Sequence, residues 1–431
     1  MSDSHVIIGD GIAGSSAAET LRERDPDADI TVITEEGEAL YNRILIKEHA
    51  KGKLPEAPIS IHDPEWYDER DIDLELNTHV TDVDVDAHEI RTHAGDVYEY
   101  DKLLVATGGT PQSLSSYGID NADAEGVHHF WTFQDARKIK KHAEAADTGV
   151  IVGAGLLGID LAAICGAQEV DAHYLMRGET WWRYALTEDG AEIIHDAMRE
   201  KGVTPVFDSG VDHFEVDDGG HVTGAVDPNG DFYEGEFVGV AIGLNFNTEL
   251  LQDTPVECDD GIVVDEYMQT NVEDVYAAGD ITQFHDVIMG ARTQNGAWGS
   301  AKEQGNVAAQ NMVADTVASS TQRADGEAVD GEKTEFRWVP TYSITHFDFP
   351  FLSFGHPTEA DEYVERKYDD KEWRRLGFRN GKLVGGVLIG DLAPQSAYKK
   401  LIREEREVAD ATDVLLEQDV DLDKLAAPTQ G

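Results

Sequence analysis

The sequence predicts an α/β chain: two three-layer domains, each built on a parallel sheet, followed by a smaller C-terminal α+β domain. Two observations predict it. A short β-branched strand, a glycine turn, an apolar-periodic helix and a second strand run in that order through residues 5–35 (HVIIGDGIAGSSAAETLRERDPDADITVITE), and the order returns at 149–177 (GVIVGAGLLGIDLAAICGAQEVDAHYLMR). Aromatic-rich segments with strand alternation then follow residue 336 (FRWVPTYSITHFDFPFLSFG and WRRLGFRNGKLVGGVLIGD). Each of the first two blocks is a βαβ unit, so the pair predicts two Rossmann-like dinucleotide-binding domains rather than one.

The remaining elements fall into place around these. A variable stretch after the first unit holds a strand-like alternation at His79–Val85, and DKLLVATGG then reads as a buried strand ending in a turn at Gly108. GEFVGVAIGLN closes the second unit at Gly243, DVYAAGDIT at 274–282 supplies another apolar strand, and AWGSAKEQGNVAAQNMVADTV reads as a helix. The pair Asn380–Gly381 predicts a hairpin, and 396–417 reads as a helix of mixed charge before a frayed end. The expected division is 1–120 with 260–318 as the first dinucleotide domain, 121–259 as the second, 319–335 as an exposed linker and 336–431 as a C-terminal α+β interface domain.

Composition excludes several classes. Against 34 basic residues stand 86 acidic ones, a net charge of −52 spread along the whole chain. Such a surface repels itself in dilute buffer and is screened by salt, which predicts a halophilic protein of haloarchaeal type. It also argues against nucleic-acid binding, since no basic stripe replaces counterions. Only two cysteines occur, Cys165 and Cys258; that excludes a disulfide framework and a four-thiolate cluster and fits a reducing cytoplasm. The N-terminus enters a strand without a basic leader, and no apolar run approaches the about 18 residues of a span. No His-acid spacing of the metal-binding kind occurs among the 16 histidines, so His128, His129, His285 and His346 read as surface or core residues and no metal is expected.

The first turn spaces Gly9, Gly11 and Gly14 as GxGxxG, with Ile12 and Ala13 between the last two. The first glycine permits the tight turn, the second lets backbone approach a pyrophosphate, and the third lets helix and strand pack. The helix N-terminus then faces the anion, and Glu35, at the end of the second strand, suits two ribose hydroxyls. The second turn repeats the pattern with Gly153, Gly155, Leu156, Leu157 and Gly158. Aligning the two second strands puts Arg177 where Glu35 stands, which suits a 2′-phosphate, with Arg183 assisting; Glu179 two residues on suits a plain ribose instead. The balance leans slightly to NADPH over NADH.

With GDGIAG, YNRIL at 41–45, LLVATGG at 103–109, GAGLLG, VYAAGD at 275–280 and AWGSAKEQG in this order, the chain resembles the FAD-dependent pyridine nucleotide–disulfide oxidoreductases over about residues 5–315. Within them it looks most like rubredoxin and ferredoxin reductases and the flavin module of NAD(P)H-dependent nitrite reductase. The resemblance implies that Gly9, Gly11, Ile12, Ala13, Gly14 and Glu35 hold the ADP half of FAD and that Val80 meets adenine through its backbone. It implies Ala106, Thr107 and Gly108 as a second turn, and Gly279 with Asp280 at the ribityl and phosphate portion. Arg43, and Lys47 at an unusual spacing, fall near the flavin ring. Asp160 stands where the family has a glutamate near the nicotinamide, Gly243 closes that site, and Glu303, with helix donors around Ala301 and Lys302, faces the flavin's pyrimidine side. Each also has a plainer reading: Asp280 as a helix cap, Arg43 as a surface ion-pair partner, Asp160 and Glu303 as solvated helix residues.

No general base is needed for hydride transfer from nicotinamide to flavin N5, so no residue is expected to be catalytic in the strict sense; Arg43, Lys47, Asp160 and Glu303 are the candidates nearest the chemistry. Disulfide reductases of this family carry paired cysteines after the first βαβ unit, and the peroxidase branch a single one; here that stretch reads NRILI. Electrons must therefore leave directly from the flavin. A small redox-acceptor protein is the expected partner, docking on a local basic patch such as Arg374–Arg375 with Lys399–Lys400 or on the aromatic stripe Phe347, Phe349, Phe351 and Phe354 if that stripe is not core or a homodimer surface. The alternatives are a quinone reductase, against which the acidic C-terminal helix argues, and a non-catalytic flavoprotein with an interaction or sensing role.

Overall fold

The computed structural model describes residues 3–319, 333–408, 412–418 and 420. The chain divides into two compact units, Met1–Asn42 with Ser60–Thr110 and Asn245–Pro340, and Arg43–Ile59 with Pro111–Leu244 and Thr341–Gly431.

The first unit is built on a five-stranded parallel sheet in the spatial order Val275–Ala277, Lys102–Val105, Ser4–Ile8, Asp29–Ile33, Ile72–Glu75. The runs VII at 6–8 and LLV at 103–105 are apolar and buried on both faces of the sheet. Helices Ile12–Arg24 and Trp298–Ser319 pack together on one face. An antiparallel meander of Val80–Asp84, Glu89–Thr92 and Val97–Glu99 adds Val83 and Ile90 to the sheet's core. In register, Ile8 lies opposite Ile33 and Val105, so the three central strands end together and deliver Gly9, Thr34 and Ala106 to one edge. That edge, at the carboxyl ends of a doubly wound sheet, is where such folds bind ligands.

The second unit repeats the plan. Its parallel sheet runs Val203–Val206, Asp171–Leu175, Thr148–Val152, Phe237–Val240, Val127–His129. Helix Leu156–Ala167 follows the glycine turn, and the meander His213–Val216, Val222–Val226, Phe232–Glu234 shares a core with Val150, Val152 and Val238. The same unit holds a five-stranded antiparallel sheet, in the order Thr341–Ile344, Phe351–Gly355, Lys382–Ile389, Trp373–Arg379, Glu362–Lys367. The hairpin forms at Asn380 (φ 49°) and Gly381 (φ 74°), the left-handed pair that a two-residue turn requires.

Three expectations differ from the structure. Residues 43–59, placed by sequence in the first domain, pack within the second unit, where Gln168 Nε2 donates to the Ala50 carbonyl at 3.0 Å. The helix expected over 396–417 is two helices, Gln395–Arg403 and Thr412–Leu415; between them Glu405 turns left-handed (φ 50°) and the buried Val408 bonds back to Gly381. For the aromatic stripe the docking alternative is the one that differs: Phe349, Phe351 and Phe354 are buried, as the core reading has it, Phe351 against Trp181 and Phe354 stacked on Tyr398, while Phe347 is half-buried against Phe349. Most of the expected linker, residues 320–332, and the expected frayed end at 421–431 lie outside the described residues.

Candidate functional site

In the first unit the three glycines of the first turn divide by what surrounds them. A Cβ on Gly9 (φ 109°) would stand 2.3 Å from the Ala106 carbonyl oxygen, and one on Gly14 would stand 1.9 Å from that of Gly9. These two are demanded by the fold itself. A Cβ on Gly11 would meet nothing within 4 Å. Gly11 is the N-cap of Ile12–Arg24, no side chain caps that helix and no acid stands in its first turn. The positive end of the helix dipole thus faces open space, the setting that favours a bound anion.

Other expected residues converge on the same edge. A Cβ on Gly305 would lie 2.1 Å from the Ala13 carbonyl oxygen, and one on Gly279 (φ 90°) 3.2 Å from the Ala13 Cβ. Gly279 N–H donates to Gln304 Oε1 at 2.7 Å, and Thr282 Oγ1 donates to the same oxygen at 2.9 Å. Asp280 follows, with Gly296 nearby. Thr107 Oγ1 donates to the Asn247 carbonyl at 3.1 Å, Asn247 Nδ2 returns a bond to the Thr107 carbonyl at 3.0 Å, and Asn247 N–H donates to the Gly108 carbonyl, closing the ATG turn. Val80 is buried at the start of its strand. Glu35 is exposed and bonds His79 Nδ1 at 3.0 Å. Glu303 accepts weakly from Asn306. The helix begins at Trp298, and Ala301 N–H already donates to the Ala297 carbonyl. Donors of the helix's free end therefore come from its first turn, residues 298–300, a turn earlier than Ala301–Glu303.

Asp10, inside the first turn, was not singled out by sequence. It is buried and accepts from Tyr67 Oη at 2.6 Å; Tyr67 in turn bonds Ser15 Oγ, and Ser15 bonds His62. Burial pushes the Asp10 carboxyl up to about 7, against the Tyr67 hydrogen bond.

In the second unit the second turn repeats the division. Cβ atoms on Gly153 (φ 112°) and Gly158 would collide with the carbonyl oxygens of Ala241 at 2.0 Å and Gly153 at 2.1 Å, while one on Gly155 would meet nothing within 4 Å. Four successive carbonyls of this turn are tied down from behind. Tyr174 Oη donates to Gly153 O at 2.7 Å, Trp182 N–H to Ala154 O at 3.2 Å, Trp181 Nε1 to Gly155 O at 3.2 Å and Tyr342 Oη to Leu156 O at 3.4 Å. The turn is rigid before any ligand arrives, the condition for tight binding at low entropic cost. Leu157 lies in the helix's first turn. Gly243 (φ 122°) accepts from Gln112 N–H at 2.9 Å. Arg177, Glu179 and Arg183 are exposed beyond the second strand; Arg183 bonds Tyr184 Oη and lies over its ring at 4.9 Å.

Arg43 donates to the Trp131 carbonyl at 2.6 Å. Lys47 and Asp160 meet: Lys47 Nζ donates to Asp160 Oδ1 at 3.2 Å, and both are buried, so Asp160 is not a solvated helix residue. His346 joins them from the C-terminal sheet's first loop, Nε2 to Asp160 Oδ1 at 2.5 Å. Burial raises the Asp160 carboxyl, but Lys47 and His346 outweigh it and hold it below the usual carboxylate range. Of the expected basic patch, Arg374 is fully buried on Glu372 and Asp391 and Arg375 bonds the Ala185 carbonyl, so neither is free to dock a partner, while Lys399 is half-buried and Lys400 exposed.

Comparison with known proteins decides the family. Residues 3–305 match the pyridine nucleotide-disulphide oxidoreductase family. The chain belongs to it. Residues 340–406 of this oxidoreductase match the rubredoxin NAD+ reductase C-terminal domain. It is 28% identical to monodehydroascorbate reductase 4, peroxisomal, of Arabidopsis thaliana, over 90% of this chain and 79% of that protein. It is 24% identical to nitrite reductase [NAD(P)H] of Bacillus subtilis over 96% of this chain, but spans only 49% of that protein. Its fold matches the reductase in the covalent putidaredoxin reductase–putidaredoxin complex with a TM-score of 0.86, at 22% identity, covering 98% of this chain and 97% of that one.

Membership makes the chain an NAD(P)H oxidoreductase that uses FAD, and the two turns fit two dinucleotides: each leaves open space at its middle glycine and an uncapped helix end. Cys165 is buried, Cys258 exposed, and both are free thiols; they are the only two in the sequence, so no redox-active pair stands beside the turns. No helix among the described residues is long and apolar enough to cross a membrane.

Proposed function

We propose that this oxidoreductase passes electrons from NADPH, slightly preferred, or NADH through FAD to a small redox protein of the rubredoxin or ferredoxin kind, or to a nitrite-reducing partner, in a high-salt cytoplasm. The observation that carries the acceptor is the rubredoxin NAD+ reductase C-terminal domain on a chain without a thiol pair. Bound FAD supplies the hydride acceptor and the one-electron steps that follow. Gly9, Gly11, Ile12, Ala13, Gly14, Glu35, Val80, Ala106, Thr107, Gly108, Gly279 and Asp280 hold it in this reading. Gly153, Gly155, Leu156, Leu157, Gly158, Asp160, Arg177, Arg183 and Gly243 hold the nicotinamide nucleotide. Arg43, Lys47 and Glu303 serve the flavin ring.

The test is to reduce the protein with NADPH in molar KCl, without oxygen, and to mix it with a rubredoxin or a ferredoxin. Saturable acceptor reduction supports the reading. A protein that reduces neither but turns over monodehydroascorbate supports a second reading, which the similarity to the Arabidopsis enzyme favours. The high-salt setting rests on the net charge of −52; stability that does not fall when KCl is removed would contradict it.

A further inference from the structure

The buried group around Asp160 contains more than the expected pair. His346 Nε2 lies 2.5 Å from Asp160 Oδ1, and Lys51 Nζ lies 3.0 Å from His346 Nδ1 and 2.8 Å from Glu48 Oε1. The chemistry of the donors fixes the proton positions. An ammonium has no lone pair, so Lys51 donates and Nδ1 accepts; Nε2 then carries the ring proton and donates to the carboxylate. The run Glu48–Lys51–His346–Asp160–Lys47 alternates donors and acceptors without a gap. His346 is 2% exposed, and the two residues after it, Phe347 (φ 53°) and Asp348 (φ 63°), hold the left-handed conformation that side chains disfavour. Strain of this kind persists where surrounding structure fixes a residue's placement.

The segment that carries His346 follows the start of the rubredoxin reductase C-terminal domain, while Asp160 belongs to the second glycine-turn helix. Asp160 Oδ1 meets both Lys47 Nζ and His346 Nε2. We propose that His346 is a positioning residue for hydride transfer: as the neutral Nε2–H tautomer, oriented by Lys51, it holds the Asp160 carboxylate against Lys47. This rests on the functional reading above, in which Asp160 and Lys47 serve the nicotinamide and flavin rings. Burial lowers the imidazole's proton affinity, and Asp160 only partly opposes it, in keeping with a neutral ring. The charged and titratable groups facing this cluster are Lys47 and Glu48 of the helix Ile46–Ala50 and Lys51 just after it, with Lys53 beyond; Tyr174 and Tyr342 near Asp160; and the pair Lys201–Asp348 beside the loop.

The experiment follows flavin reduction by NADPH and NADH in anaerobic stopped flow from about pH 6 to about pH 9. His346→Phe is expected to lower the limiting rate about 10- to 100-fold across this range, the effect of a misplaced reacting group. His346→Gln, which keeps an N–H near the Nε2 position, is expected to recover most of the rate. A His346→Phe protein with the wild-type rate across this range overturns the proposal. A second readout needs neither flavin nor turnover. With ¹⁵N-labelled histidine, the signal lost in His346→Gln should show a neutral Nε2–H ring that does not titrate, and Lys51→Met, which frees Nδ1 while Asp160 still holds Nε2–H, should let the ring take a second proton as pH falls. A titrating or Nδ1–H ring in the wild type overturns the proposal even if His346→Phe fails to fold. Wild-type flavin that neither nucleotide reduces would instead defeat the functional reading, and the ring's tautomer would still be decided by its own spectrum.

Discussion

Trp181 donates its indole N–H to the carbonyl of Gly155 at 3.2 Å, so the middle glycine of the second turn is held from behind by a fully buried side chain. Trp181→Phe keeps an aromatic ring beside Phe351 and removes that bond along with part of the indole's buried packing. One such bond is worth about 1 kcal/mol, and nucleotide affinity is expected to fall roughly 5-fold with FAD content unchanged. Titration calorimetry with NADPH checks this; unchanged affinity would mean that the turn needs no prop.

Gly11 and Gly14 separate binding from folding. Space in front of Gly11 is open, so Gly11→Val should fold and purify as colourless apoprotein, its side chain standing where the pyrophosphate passes. Gly14→Ala places a Cβ 1.9 Å from the Gly9 oxygen and should fail to fold stably. A yellow Gly11→Val protein with stoichiometric flavin contradicts the assignment.

The proposed preference for NADPH rests on Arg177. It is exposed at the end of the second strand, two residues before Glu179. Arg177→Ala should weaken NADPH about 10-fold, by loss of a charge-assisted phosphate contact worth about 1.5 kcal/mol, and NADH by much less. Equal losses in steady-state KM for the two would end the preference for NADPH.

Asp10 makes stability depend on pH with a definite sign. Its folded-state value is raised by burial to about 7 from an ordinary 3.8. The folded protein therefore keeps this proton after the unfolded chain has lost it. Asp10's contribution is fully present below about pH 4 and is lost as pH rises toward about 7, at up to about 1.4 kcal/mol per pH unit. Asp10→Asn should flatten that fall. Denaturant titrations at several pH values in concentrated KCl check it, and parallel curves for the two proteins would contradict it.

What could be read from the sequence was local. A strand, a glycine turn and a helix are adjacent in the chain, so Gly9, Gly11 and Gly14 and their counterparts at 153, 155 and 158 announce both nucleotide turns and the doubly wound sheets. What escaped depends on residues distant in the chain. Tyr174 reaches the second turn only once the sheet has formed, and His346 reads as an ordinary core histidine until its loop meets Asp160, 186 residues away. Asp10 looks like a filler between two glycines because nothing local reveals Tyr67 above it. Arg374 reads as a surface charge because its partner Asp391 and the carbonyl of Glu417 lie far along the chain.

The account stands on FAD bound at the first glycine turn and reduced by a nicotinamide nucleotide bound at the second. Purify the protein in concentrated KCl, record the visible spectrum, then add NADPH or NADH without oxygen. A yellow protein with one flavin per chain, bleached by either nucleotide, is the predicted result. A colourless protein that FAD does not reconstitute, or a flavin that neither nucleotide bleaches, would contradict it.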